Sequence, residues 1–321
     1  GMAAHVDVVA TNYNVDSPDG WIARYYFDGL RRLTGGKPVL VSEWFFAADE
    51  NRTGNRNNGH LMTVPTQRER ARGAAAAARW FARQPALVGL HWFQYYDHPK
   101  GGRSDGEDYD FGLVDVDDRP YEELLGALGA ANTQLAAIHA EAPGPCCSAP
   151  AAAMTIPRAA IDPRDRSLAE WPKERSVVPG LEAGPGEVPF GDLYLAWSAA
   201  GLHLAVIGMD YYDPALLAYG DVFPRGEAFR VDWGVDAGAG ARRFALSVIP
   251  PKVFPEHAPP MMRAELCRTD AAACAPVPGA ITTYFGSDQP RLTLEVTLPW
   301  AALGMRTPPD TPLHMELAVT A

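Results

Sequence analysis

Ahead of the Pro/Ala-rich stretch near residue 142, the chain alternates three times between a short apolar run and a longer amphipathic one, and this alternation narrows the possible folds most. The apolar runs are Val6-Asp-Val-Val-Ala-Thr-Asn-Tyr-Asn14, Lys37-Pro-Val-Leu-Val-Ser-Glu-Trp-Phe-Phe46 and Leu87-Val-Gly-Leu-His-Trp-Phe-Gln-Tyr95. Val39, Leu40 and Val41 form a continuous apolar, β-branched run that suits a parallel strand covered on both faces. Three helices are predicted between and after the strands. The first follows the start signal Ser17-Pro18-Asp19 and shows Ile22, Tyr25, Tyr26, Gly29, Leu30 and Leu33 on one face. The second, Gln67 to Arg83, opens on the capping box Thr66-Gln-Arg-Glu69. The third starts at Pro120-Tyr121 and carries Leu124, Leu125, Leu128, Leu135 and Ile138 on one stripe. A β-α-β-α-β-α order means parallel strands with crossover helices.

The strand-to-helix loops are long and polar, above all Ala47 to Pro65 and Asp97 to Arg119, and the return loops are short. That asymmetry puts function at the carboxyl ends of the strands. Glu43 stands at such an end, where α/β barrels keep their chemistry. A barrel needs eight units, so three are read as the last three of a (β/α)8 barrel. Residues 143–160 form a Pro/Ala-rich linker between a first domain at 1–142 and a second at 161–321. Beyond it the period changes to short alternating strands, among them Asp192–Ser198, Leu202–Ile207, Ala228–Trp233, Arg243–Ile249 and Leu292–Leu298. These predict an antiparallel β-sandwich, so the expected fold class is α/β plus all-β.

The net charge of −11 and the lack of a basic run argue against nucleic acid and anionic membranes as partners, and no stretch is long and apolar enough to span a bilayer. Of the four cysteines, Cys146 and Cys147 are adjacent in the linker, and Cys267 and Cys274 flank a short polar loop. Close pairs outside a metal-ligand framework suit an oxidising compartment, extracellular or periplasmic, over a zinc site; four unpaired thiols are the alternative.

The third strand leads into His91-Trp-Phe-Gln-Tyr-Tyr-Asp97, Gly102-Arg103, Asp105-Gly-Glu107 and Phe111-Gly-Leu-Val-Asp-Val-Asp-Asp-Arg-Pro-Tyr121. Taken with Glu43, this resembles the end of a clan A retaining glycoside hydrolase barrel, in the β-agarase and β-galactosidase-like branch, from Val6 to about His139. The resemblance implies that Glu43 is the nucleophile that forms a covalent glycosyl-enzyme, that Trp92 is the platform under the sugar at the cleavage point, and that Tyr13 hydrogen-bonds the nucleophile or the substrate. Trp44 belongs to the same set, with Gln94, Asp97, Arg103, Asp105 and Glu107 as hydroxyl or ion-pair partners. Arg103, Asp105 and Glu107 could instead bridge one another and order their loop. The clan's acid/base glutamate, which follows an Asn at the end of strand four, would lie upstream of residue 1. The chain is therefore read as a fragment, inactive in isolation, that calls for its missing barrel half or self-association.

In the second domain Ile161-Asp162, Leu168-Ala-Glu-Trp171, Asp192-Leu-Tyr-Leu-Ala-Trp197, Leu202-His-Leu-Ala-Val206 and Val296-Thr-Leu-Pro-Trp-Ala-Ala-Leu-Gly304 resemble a family 9-type carbohydrate-binding sandwich. The resemblance implies a non-catalytic module holding polysaccharide, with Trp197, Trp233, Tyr211 and Tyr212 as stacking residues and Trp171 and Trp300 in the core. Met209, Met261 and His203 lack the spacing of a haem ligand pair, and no acidic cluster dense enough for calcium is apparent, so neither cofactor nor metal is expected. A non-catalytic carbohydrate-binding protein with a degenerate half-barrel is the alternative function.

Overall fold

The computed structural model describes residues 2–15, 17–57, 61–142, 154–165, 167–178, 191–209, 229–236, 242–248, 262–268, 274–286, 291–306 and 314–320. It divides into two units, Gly1–Cys147 with Ser167–Ala169, and Ser148–Arg166 with Glu170–Ala321. Tyr211, Tyr212, His60, Met261, Cys146 and Cys147 lie outside the described residues.

The first unit is built on a three-stranded parallel sheet, β1 (Val9–Asn12), β2 (Val39–Trp44) and β5 (Leu87–Trp92), with β2 in the centre. Helices α1 (Arg24–Leu33), α2 (Gln67–Ala82) and α3 (Glu122–Ala140) follow the strands, and a two-residue parallel bridge, β3 (Ala47–Ala48) with β4 (Thr63–Val64), folds the loop after β2 back on itself. Val39 and Val41, which share one face of β2, are fully buried, whereas Leu40 and Ser42 on the other face are only half-buried, so the complete cover on both faces that the apolar run predicts is reached on one face only. Helix α2 starts where expected: the Thr66 hydroxyl accepts the Glu69 N–H, and the Glu69 carboxylate accepts the Thr66 N–H. Its small Ala74, Ala77 and Ala78 are buried in the main core of this unit.

Helix α1 departs from expectation. Ser17 to Gly20 is a tight turn closed by the Gly20 N–H on the Ser17 carbonyl, and the helix begins at Arg24. Gly20 has φ +81°, and a Cβ there would stand 2.3 Å from the Gly73 carbonyl oxygen. The turn is thus fixed by the close approach of α2, and only glycine fits. The buried face of α1 includes Phe27, while Leu33 is 65% exposed.

The second unit contains two antiparallel sheets. One has the order β11 (Cys274–Pro276), β10 (Met262–Arg268), β9 (Arg242–Val248), β8 (Phe229–Asp236), β14 (His314–Thr320). The other has the order β12 (Ile281–Gly286), β13 (Arg291–Pro299), β7 (Gly201–Met209), β6 (Gly191–Trp197). A short helix, α4 (Lys173–Ser176), precedes β6. An alternating pattern predicts one wet face, yet Leu193, Tyr194, Leu195 and Ala196 in β6 and Leu204, Ala205, Val206 and Ile207 in β7 are all buried. Part of the cover comes from Trp171, whose indole N–H donates to Glu295 on β13. The expected linker is also shorter than 143–160. Ala159 N–H bonds the Trp197 carbonyl and Trp197 N–H bonds the Pro157 carbonyl, so this stretch belongs to the edge of β6.

Glu295 is fully buried, and its second oxygen, Oε2, has no hydrogen-bond partner among the described residues. Burial pushes its pKa up to about 8; the Trp171 N–H opposes this, and Glu170, Asp165 and Asp162 add to it. The carboxyl is therefore neutral in the folded protein at pH 7. An acid whose folded pKa is raised favours folding fully below its unfolded value, and that contribution is lost as pH rises towards the folded value. Glu295→Gln keeps an oxygen for Trp171 and cannot ionise. Its advantage over wild type should grow from nothing near pH 4 to roughly 3 kcal/mol at pH 7. Urea melts across that range measure it, and a pH-independent difference would contradict the assignment.

Candidate active site

The candidate site lies where β2 and β5 end. Parallel pairing sets Asn12 opposite Glu43 and Trp44 opposite Trp92, and the Tyr13 N–H bonds the Glu43 carbonyl. Glu43 is half-buried. Its carboxyl is held above the usual glutamate range, first by burial and then by the negative charge of Glu107, with Arg103 acting in the opposite direction. The structure therefore brings together Glu43 with Glu107 and Arg103 of the loop after β5, within electrostatic range of one another.

That loop is organised by its own charges. Arg103 Nη2 binds Asp105 at 2.6 Å, Arg103 Nη1 lies 3.5 Å from Glu107, and the Arg103 N–H bonds the Glu107 carbonyl. Behind Glu107 stands His98, completely buried. The Tyr109 N–H donates to His98 Nδ1, which leaves the ring proton on Nε2, 3.8 Å from the Glu107 carboxylate. Burial lowers the His98 pKa, so the ring is neutral.

The two long loops interlock through amides and acids. The Asn55 side-chain amide bonds Asp108 and the His98 carbonyl, the Asn57 amide bonds the Ala48 carbonyl, and Arg56 pairs with Asp108. Arg52 pairs with Asp115 and lies 4.4 Å above the Tyr121 ring. Burial alone would raise Asp108 and Asp115, but hydrogen bonds from Asn55 and Arg56 to the first, and from the Arg119 and Asp117 amides to the second, hold both below the ordinary value. Beneath these loops Phe45, Ala47, Tyr109 and Phe111 form a small separate core.

Several residues expected to bind substrate are engaged elsewhere. Tyr13 is fully buried, and its hydroxyl accepts the Ala23 N–H at 3.0 Å at the start of α1, where the N-cap alanine has no side-chain oxygen of its own to offer. Trp44 is 3% exposed, edge-on to Trp92 and Phe81 in the main core. Asp97 is 3% exposed and accepts from the Thr53 hydroxyl, the Tyr121 hydroxyl and the Gly112 N–H. It braces the loops. Trp92 is half-buried, with its indole N–H on the Phe111 carbonyl. Gln94 is half-buried at the same exit, its backbone paired with Phe111 and Leu113. His91 is exposed. In the second unit Trp197 is half-buried, with its N–H on the Ile156 carbonyl and Arg158 over one ring face. Trp233 is placed on β8 by its backbone alone.

Arg70 escaped the sequence reading. It is fully buried and donates to the Phe46 carbonyl, the Gly112 carbonyl, Gln67 and Asp110. The signal was present in the spacing, since Arg70, Ala74, Ala77, Ala78 and Phe81 form one buried helical stripe.

No family model matches the chain. Over 131 residues it is 31% identical to beta-agarase B of Vibrio sp. (strain JT0107), a match to 40% of this chain and 13% of that protein. Over 127 residues it is 35% identical to beta-agarase A of the same organism, covering 39% of this chain and 12% of that one. The chain thus spans about an eighth of the length of these relatives. Among solved structures, an exo-beta-agarase shares 29% identity over 43% of this chain and 17% of its own, with a TM-score of 0.38. An agarase structure shares 29% identity over 43% of this chain and 18% of its own, with a TM-score of 0.35. Over about two fifths of its length, then, the chain is related to glycoside hydrolases of the beta-agarase kind. Among the described residues no helix is long and apolar enough to cross a membrane, and no group of acidic, His or Cys side chains could hold a metal ion.

Proposed function

We propose that the first unit is the carboxyl-terminal part of a retaining glycoside hydrolase barrel acting on an agarose-like β-galactan, and that Glu43 is its nucleophile. The observation that carries this reading is the place of Glu43, half-buried at the exit of the central parallel strand and facing Glu107 and Arg103 beneath a braced polar rim, in a chain related to beta-agarases. In such a mechanism the ionised Glu43 attacks the anomeric carbon, the glycosidic bond breaks, and an acid protonates the departing oxygen. Water, activated by the same acid in its basic form, then releases the sugar with retained configuration. The acid is expected from the remainder of a complete barrel. The exposed part of Trp92 would face the sugar, and Gln94 would bind its hydroxyls. Secretion accords with a polymeric substrate. The second unit is proposed as a carbohydrate-binding sandwich with Trp197, Trp233, Tyr211 and Tyr212 as its stacking residues; Arg158 lies over one face of the Trp197 ring.

The test is agarose hydrolysis by the polypeptide of the complete reading frame, with the anomeric configuration of the first-formed product read by NMR. Retained configuration is expected, and inversion or no cleavage would overturn the proposal. Glu107 supplies a finer check. Glu107→Gln removes a charge that raises the Glu43 pKa and leaves Arg103, still paired with Asp105, with one acidic partner fewer, and both effects lower that pKa. Because Glu43 must be ionised to attack, the acid limb of the kcat/KM profile should move to lower pH. An unmoved limb would remove Glu107 from the electrostatics of Glu43.

A further inference from the structure

The strand register of the second unit brings two cysteines to the same rung. β11 is the short edge strand of the five-stranded sheet and pairs with β10. In that antiparallel ladder Cys267 is opposite Cys274, next to Leu266 opposite Ala275 and Glu265 opposite Pro276. Directly opposed residues of an antiparallel pair have Cα atoms about 4.5 or 5.5 Å apart, depending on the hydrogen-bonding of the rung. Both spacings fall in the roughly 4.4–6.8 Å range that a disulfide spans. A register shifted by one residue would break this opposition and send the two side chains to opposite faces.

We propose that Cys267 and Cys274 form a disulfide that staples β11 to the edge of its sheet. The edge gives it a purpose. β11 has three residues, and Pro276 has no N–H to give to the ladder, so backbone pairing alone holds it weakly. A cross-link between β10 and β11 restricts the unfolded chain and pins an edge that would otherwise fray or accept a foreign strand. In the reaction, the two Sγ atoms lose two protons and two electrons as the S–S bond forms. A disulfide donor, either a small-molecule disulfide or a thiol–disulfide oxidoreductase, takes up both electrons as its own S–S bond opens to two thiols. Such a bond persists in an oxidising compartment. This proposal stands independently of the hydrolase reading.

Trypsin makes the experiment direct, because cleavage after Arg263, Arg268 and Arg291 places the two cysteines in separate peptides, residues 264–268 and 269–291. The protein, produced in an oxidising compartment, is alkylated without reduction, digested and analysed by mass spectrometry. The expected result is these two peptides as one cross-linked species that vanishes on reduction. Free alkylated Cys267 and Cys274, or a link from either to Cys146 or Cys147, would overturn it. A second readout tests the staple itself. Reduction of wild type, and the Cys267→Ala, Cys274→Ala and double variants, should each lower the Tm of this unit by the same amount, about 5–10 °C. A cross-link whose reduction leaves Tm unchanged would refute the stapling role.

Discussion

Replacing Glu43 by glutamine is expected to lower hydrolysis of a β-galactan on the order of 10⁴-fold or more, with affinity for the polysaccharide within a few-fold of wild type. The amide nearly matches the carboxylate in shape and cannot attack the anomeric carbon. Half-burial at the strand end holds the group in one place, so little reorganisation should follow the change. The substitution also removes a charge facing Glu107, so the fold should not suffer. Initial rates on agarose oligosaccharides, with affinity measured separately, decide the matter. Turnover within about tenfold of wild type would take Glu43 out of the mechanism.

Removing the buried Arg70 should have the largest effect on stability. Its guanidinium joins three segments that come together only in the folded unit: Nε bonds the Phe46 carbonyl at the exit of β2, Nη2 bonds the Gly112 carbonyl in the loop after β5, and Nη1 reaches Gln67 and Asp110. Asp110 is fully buried as well. Burial pushes its pKa up to about 6, and Arg70 is the foremost influence pulling it back. Arg70→Ala leaves this carboxyl without its cation and two carbonyls without donors. The expected cost is roughly 3–5 kcal/mol, seen as an earlier urea transition of the first unit. Arg70→Lys should recover only part, because an ammonium cannot span the same fork of acceptors. A loss below about 1 kcal/mol for Arg70→Ala would mean that the loops around Glu43 are held by other contacts.

The parts of the fold legible in the sequence are those set by local pattern. The apolar run Val39–Val41 and the Thr66–Glu69 box each determine an element through neighbours a few residues away, and both stand where the pattern puts them. The start of α1 was misplaced because Ser17-Pro18-Asp19 has the composition of a cap, while the controlling contact is between Gly20 and Gly73 on another helix. The same division runs through the site. The place of Glu43 follows from its strand. The roles of Tyr13 and Asp97 follow from partners distant in sequence, Ala23 for the first and Thr53, Gly112 and Tyr121 for the second. A polar side chain at a strand exit looks the same in sequence whether it faces a ligand or braces a loop.

The most direct test of the central claim is to trap the nucleophile. The polypeptide of the complete reading frame is incubated with a 2-deoxy-2-fluoro-galactosyl donor carrying a dinitrophenolate leaving group, then digested and analysed by mass spectrometry. Dinitrophenolate departs without a proton, so the first step depends on the nucleophile alone. The expected result is one fluoroglycosyl group esterified to Glu43, absent from Glu43→Gln. Label on another carboxylate, or an enzyme that turns over agarose and takes no label at Glu43, would contradict the account.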